Sequence, residues 1–302
     1  MLNAKEAVGR ARSHGTVIPA FNIPFLPMVK PVVQAVADEN SVAMLQVARL
    51  EWEKFGSQSL EDVAAEYRVC QSPQHTLLHL DHIPVIDEDL REVDYLSYIR
   101  RAVRAGFQSV MVDASRLDLE GNIAATKAAA DIAHAAGLPC EAELGAVMGH
   151  ESGPITPYEE IFATKMGFTD EKEAERFVRE SGCDWLSVAV GSIHGAVAEH
   201  LKHQKKPVAR LDVAQIRILH EITGIPLVLH GGTGIDKEYV RRGIEAGIAK
   251  INVATEIRQA YLFTLEETGG NVAAAQDAVY LKVREVLSDM LGVSNTRTIL
   301  FG

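Results

Sequence analysis

Cysteine is scarce in this chain. Its three, Cys70, Cys140 and Cys183, are odd in number, far apart and never in a CxxC spacing. That excludes a disulfide framework and a cysteine zinc site, and it fits a reducing compartment. No stretch approaches the roughly 20 apolar residues of a membrane span. The N-terminal MLNAKEAVGRARSHG lacks the apolar core of a secretion signal, so the expected location is cytoplasmic. Positive charge is also in deficit, with 30 Lys and Arg against 41 Asp and Glu and a net charge of -11. An acidic surface excludes general nucleic-acid or anionic-membrane binding, while leaving open a local basic pocket for an anionic metabolite. The first apolar run is not followed by GxGxxG, the usual sign of an open doubly wound sheet. Low-complexity segments and linkers are absent too.

What is present is a regular alternation. The composition, 47% hydrophobic and 24% charged, is that of a chain able to bury a sizeable core. A capping pair, Asn3 and Glu6, opens a short helix closed by Gly15. Eight short apolar runs then read as strands, beginning with Val17–Phe21, Ala43–Val47, Thr76–His82 and Ser109–Ser115. Cys140–Gly145, Trp185–Gly191, a run from Leu227 that stops at His230, and Lys250–Ala254 complete the set. Helical patterns separate them, Arg49 to Glu53 reads as loop, and Ala146 to Gly167 reads as a long functional loop. The pattern predicts an α/β protein, a (β/α)8 TIM barrel with an extra N-terminal helix and long C-terminal helices, as one domain over residues 1–302. An open doubly wound sheet is the alternative.

In such a barrel His82, His194 and His230 stand at the carboxyl ends of the third, sixth and seventh strands, all at one mouth. Three neutral imidazoles there make a catalytic zinc set with room for substrate. Acids gather at the same end: Asp81, Asp113, Glu141, Glu143 and, in the long loop, Glu151. Buried carboxylates need a cation or hydrogen-bond partners, so Asp113 and Glu143 serve either a metal or a structural network. Neighbouring residues of a flat strand face opposite ways, so Asp81 and His82 share a site only where the strand turns. Gly231 to Thr233, with Gly234, and Asn252 to Thr255 lie after strands seven and eight, where many barrels hold a phosphate on backbone N–H groups. Lys202, Lys205 and Lys206 are either charge assistance or a solvated basic run. A metal beside a phosphate loop suits carbanion chemistry next to a carbonyl. The Schiff-base route needs a lysine at a strand's carboxyl end, and Lys250 is expected at the entrance of its strand.

The motifs are recognisable together: AFNI at Ala20, LHLDH at Leu78, MVDAS at Met111, EAELG at Glu141, HG at His194, LHGGTG at Leu229 and KINVATE at Lys250. From about residue 3 to residue 290 the chain resembles the class II, metal-dependent fructose-bisphosphate and tagatose-bisphosphate aldolases, with all seven motifs in the family's order. The resemblance implies cleavage of a ketose phosphate to dihydroxyacetone phosphate and an aldehyde through a zinc-stabilised enediolate. It implies zinc on His82, His194 and His230, and a second cation, divalent or monovalent, at Asp113 and Glu143. Asp81 would move the C4 hydroxyl proton, and Glu151 would exchange the proton on the dihydroxyacetone-phosphate carbon. Asn22, Gly195, Gly231, Gly232, Thr233, Asn252, Val253, Ala254 and Thr255 would bind substrate. A homodimer or homotetramer is the assembly it implies.

The departures cluster on one side. The family's LDHG or LDHH is here His82-Ile83-Pro84, its glycine and acid loop is Met148-Gly149-His150-Glu151-Ser152, and Tyr-Lys after the sixth-strand histidine is replaced by Ala196-Val197. Ala48-Arg49-Leu50-Glu51 stands where a serine commonly holds the distal phosphate. The half that binds dihydroxyacetone phosphate is kept and the aldehyde half altered, which predicts a non-standard aldehyde. A barrel metallohydrolase and a sugar-phosphate binding protein without catalysis are the competing readings.

Overall fold

The computed structural model describes residues 2–145, 158–192, 209–232 and 234–302. Eight parallel strands close into a barrel in chain order: β1 (Ile18–Asn22), β2 (Ala43–Ala48), β3 (Thr76–Pro84), β4 (Ser109–Asp113), β5 (Cys140–Leu144), β6 (Trp185–Val188), β7 (Leu227–Leu229) and β8 (Ile248–Val253). Closure is made by β1 on β8, with Ile18 opposite Lys250 and Ala20 opposite Asn252. Helices follow the strands, as the alternation predicts, and the fold is a (β/α)8 barrel. Among the described residues, no helix is long and apolar enough to cross a membrane.

Helix starts follow local chemistry. Asn3 Oδ1 accepts from the Glu6 N–H at 3.0 Å and begins Ala4–Ser13. Asp118, Asp170, Asp212 and Asp236 cap the helices after β4, β5, β6 and β7 in the same way, each side chain accepting from a first-turn N–H. The helix Val29–Asp38 keeps Pro31 in its first turn, where the missing N–H has no partner to lose. It therefore begins two residues before its proline. Three expectations are corrected. Arg49 to Glu53 is no loop but part of a helix, Arg49–Lys54. The expected loop from 146 to 167 contains the helix Tyr158–Thr164. Lys250 is the third residue of β8, not its entrance, because the strand begins at Ile248.

Two cores divide the apolar residues by strand phase. Outward residues such as Phe21, Leu45, Leu78, Leu80, Val110 and Leu186 pack under the helices. Inward residues at the lower end, Ile18, Ala20, Met44, Leu77, Trp185 and Val228, form a second cluster with Ala4, Ala7, Val8 and Ala11 of the N-terminal helix, which plugs the barrel's floor. Each large side chain buried this way contributes on the order of 1.5–3 kcal/mol. Moving up two residues at a time, the inward positions turn polar: Gln46, His79, Glu141, Ser187 and Lys250, then Asn22, Asp81, Glu143 and Asn252, every one buried.

At the centre of that polar layer Lys250 Nζ lies 3.0 Å from Glu141 Oε2, with both side chains fully buried. Taking one partner away from such a pair leaves an uncompensated charge in the barrel. Lys250→Met should therefore lower stability by about 3–5 kcal/mol, and adding Glu141→Gln should restore at least half. Urea midpoints at unchanged m-value read this. A single-variant loss under about 1 kcal/mol would show that the pair does not organise the interior.

Candidate active site

The site begins with a fault in β3. Pairing with β4 runs regularly to Leu80 and resumes at Ile83, a register shift that accommodates extra chain at Asp81-His82. His82 sits at φ 27, in the left-handed region that a non-glycine residue rarely enters. The bulge meets the condition for Asp81 and His82 to share a site: Asp81 keeps the strand's inward phase, and His82 is turned toward the same mouth. The His82 and His230 rings lie 4.5 Å apart, edge to face.

Carboxylates surround these imidazoles. His82 Nδ1 is 3.3 Å from Asp113 Oδ2, and Asp113 Oδ1 accepts from the Ser115 hydroxyl at 2.6 Å and the Ser115 N–H at 3.0 Å. His230 Nδ1 is 3.2 Å from Glu143 Oε2, and His230 Nε2 is 2.9 Å from Glu141 Oε1. Burial alone would lower His82, but the charge of Asp81 and the hydrogen bond to Asp113 push it up to about 10. His230 moves up as well, the hydrogen bonds to Glu141 and Glu143 overcoming burial and the charge of His82. Burial would raise Glu141, yet Lys250 and the hydrogen bond from His230 hold it well below the usual carboxylate range.

Two overlapping donor sets result, Asp81 with His82 and His230, and His82 with Asp113 and Glu143, their ligand atoms within 4.8 Å of one another. Imidazole and carboxylate donors converging at a strand-end mouth fit a divalent metal such as zinc. A third set, His79 with Asp81 and Glu141, lies in the layer below. Lys250 already serves it, and His79 Nδ1 bonds the Ser109 hydroxyl at 2.8 Å. Burial and then the charge of Lys250 bring His79 down to about 3, so this ring is neutral, in keeping with a structural role.

Asp81 is held by amides on both oxygens. Asn22 Nδ2 donates to Oδ2 at 2.8 Å, Gln46 Nε2 to Oδ2 at 3.2 Å and Asn252 Nδ2 to Oδ1 at 3.1 Å. The amides are themselves oriented: Asn22 Oδ1 accepts from Gln46 at 2.8 Å, and Asn252 Oδ1 accepts from Lys250 Nζ at 2.7 Å. A continuous chain thus runs from His230 through Glu141, Lys250 and Asn252 to Asp81. Burial would raise Asp81, but the charges of His82 and Lys250 keep it below its ordinary value.

The expected anion-binding ends adjoin this group. Gly231 has φ 67, and a Cβ on Gly232 would sit 2.9 Å from Ile251 Cγ2 and 3.1 Å from the Asn252 carbonyl oxygen, so only glycine lets this loop lie against β8. Val253 ends β8, and Ala254 precedes the helix Thr255–Glu267, whose N-cap residue supplies no side-chain hydrogen bond. Glu151, His194, Gly195 and Thr233 lie outside the described residues, as do His150, Ser152, Lys202, Lys205 and Lys206.

A paired imidazole and carboxylate mouth beside a glycine turn and a helix start without a side-chain cap invites comparison with known proteins. The sequence model described as "Fructose-bisphosphate aldolase class-II" matches residues 2–296. This chain belongs to the class II fructose-bisphosphate aldolase family. The YdjI aldolase from Escherichia coli K12 superposes with a TM-score of 0.76 at 26% identity, over 98% of this chain and 100% of that one. A putative fructose-1,6-biphosphate aldolase from Coccidioides immitis gives 0.77 at 26% identity, over 98% of each chain. The fructose-bisphosphate aldolase Fba from Campylobacter jejuni, at 17% identity and a TM-score of 0.73 over 97% of this chain and 96% of that one, shares the fold. The protein is an aldolase, a carbon–carbon lyase.

Sequence reasoning did not find Gln46, Lys250 or the role of Glu141 in this class II aldolase. A usable signal existed for Gln46, a lone amide in the apolar run of β2 and in register with Asn22 and His79. Gln46→Leu removes one donor from Asp81 and one from Asn22. Hydrogen bonds to a charged group are worth about 1.5–3 kcal/mol, so kcat/KM for aldol cleavage should fall about tenfold or more with metal content unchanged. An unaltered kcat/KM would remove the amide cradle from catalysis.

Proposed function

We propose that this class II aldolase is zinc-dependent and cleaves a phosphorylated ketose to dihydroxyacetone phosphate and an aldehyde other than glyceraldehyde 3-phosphate. The observation that carries the reading is the convergence of His82 and His230 beside an Asp81 whose two oxygens are fixed by three amides. His82, His230 and, from outside the described residues, His194 would hold the zinc, with Asp113 and Glu143 offering donors for a second cation. A metal held there supplies Lewis-acid stabilisation of the negative charge that develops on the carbonyl oxygen as the carbon–carbon bond breaks.

The protein's own groups divide the remaining work. Gly231, Gly232 and Thr233, together with Asn252, Val253, Ala254 and Thr255, grip the dihydroxyacetone-phosphate phosphate with backbone N–H groups, the uncapped helix start adding its dipole. Asn22 and Gly195 complete the contacts to the sugar. Asp81, kept ionised by its neighbours, takes the C4 hydroxyl proton; the C4 oxygen becomes the aldehyde, and the C3–C4 electron pair stays on C3. Glu151 returns a proton to that carbon. Depressing Asp81 favours its carboxylate form over the neutral pH range, which is the form a base needs.

The altered aldehyde half separates this chain from a standard bisphosphate aldolase: Ala48 to Glu51 replace the serine that commonly holds a distal phosphate. A ketose-phosphate panel assayed for dihydroxyacetone-phosphate release, with and without chelator, tests the whole reading. Release that persists after complete metal removal rejects the zinc, and turnover of fructose or tagatose bisphosphate at ordinary aldolase efficiency rejects the altered specificity. Asp81→Ala should keep its metal and lose about 100-fold or more in turnover, the range expected for a missing acid–base group. Metal analysis on the same sample separates loss of the base from loss of the site.

A further inference from the structure

The segment after β2 is one of the departures from the family, and there the structure places a carboxyl group that the proposed mechanism does not use. Glu51 lies in the helix Arg49–Lys54 and is only 7% exposed. Its Oε2 accepts from the Ala48 N–H at 2.8 Å, filling from within the chain the backbone donor that opens this short helix. Ala48 stands opposite Asp81 in the pairing of β2 with β3, so the carboxyl lies within the field of Asp81 and of Arg258, whose guanidinium packs over the Phe55 ring at 5.0 Å. Glu51 is therefore an immediate neighbour of the groups that hold the C4 end of the substrate.

Groups that could hold a second phosphate are already engaged. Arg49, on the same helix, is paired with Glu53 at 2.9 Å and with Asp87 at 3.5 Å. A phosphate dianion placed here would find the Ala48 N–H already taken by Glu51 and Arg49 already paired. A sugar hydroxyl makes no such demand.

We propose that Glu51 determines aldehyde-side specificity: its carboxyl hydrogen-bonds a hydroxyl of the aldehyde fragment and shuts a phosphate out of that position. The inference rests on the aldolase reading above and narrows the substrate class to ketose 1-monophosphates. Burial, reinforced by the charge of Asp81, pushes Glu51 up to about 8 against the opposing Ala48 N–H. At neutral pH the group is then mainly the uncharged acid, with a proton to donate to the hydroxyl and an oxygen left for Ala48.

Condensation of dihydroxyacetone phosphate with D- or L-glyceraldehyde, against the same reaction with the matching glyceraldehyde 3-phosphate, measures this on the intact metal-loaded enzyme. The readout is the ratio of the two kcat/KM values, which a general loss of folded protein leaves untouched. The native enzyme should favour the unphosphorylated aldehyde at least tenfold, and Glu51→Ala should lower that ratio at least tenfold. Glu51→Gln, uncharged and still able to accept from Ala48, should stay within threefold of the native ratio. A native preference for the phosphorylated aldehyde, or an alanine variant within threefold of the native ratio, overturns the proposal. Solvent-deuterium exchange into dihydroxyacetone phosphate needs no aldehyde and checks the underlying reading separately. No exchange by the native enzyme rejects the aldolase mechanism itself, whereas exchange without condensation on either aldehyde rejects only the role of Glu51.

Discussion

A lysine and a glutamate sealed inside the barrel, Lys250 and Glu141, set the geometry of everything above them. Two full charges with no exposed surface persist only because each satisfies the other and the groups around it. Glu141 turns its second oxygen to His230 Nε2, which aims that ring's Nδ1 toward Glu143. Lys250 turns to Asn252, whose amide then points at Asp81. One ion pair thereby orients a metal-ligand candidate on β7 and the candidate base on β3, on opposite arms of a single chain of hydrogen bonds. Shifting either member would propagate to both.

The vertical order of the barrel interior explains why the pair can exist there. Below it the inward side chains are apolar and close on the N-terminal helix, keeping water from entering through the floor. Above it they are amides, imidazoles and carboxylates, so the charges face a polar ceiling. The strand period of two keeps these layers separate, and the apolar outward phase pays nothing for the polarity inside.

Much of this was legible in the chain, and the illegible part has a common cause. Eight apolar runs ending in polar residues announced the barrel, and His82 and His230 fell at strand ends as expected. Helix starts at Asn3 and Asp170 could be read because a cap is a local interaction within a few residues. Gln46, Lys250 and Glu51 could not be read in this way. Whether Gln46 meets Asn22 depends on the register of β1 on β2, and whether Lys250 meets Glu141 depends on strands three apart around a closed ring. Glu51 was hidden because Arg49–Lys54 is too short and too charged to announce a helix.

The bulge in β3 has a consequence for how the site withstands thermal motion. In most barrels a base and a metal ligand come from different strands, and their separation changes whenever those strands slide or breathe. Here Asp81 and His82 are consecutive residues that a single left-handed turn sends to the same mouth. Their separation is governed by bond lengths and one constrained dihedral rather than by packing. As β3 fluctuates, proton acceptor and ligand travel together, and what varies is their common distance to His230 across the mouth.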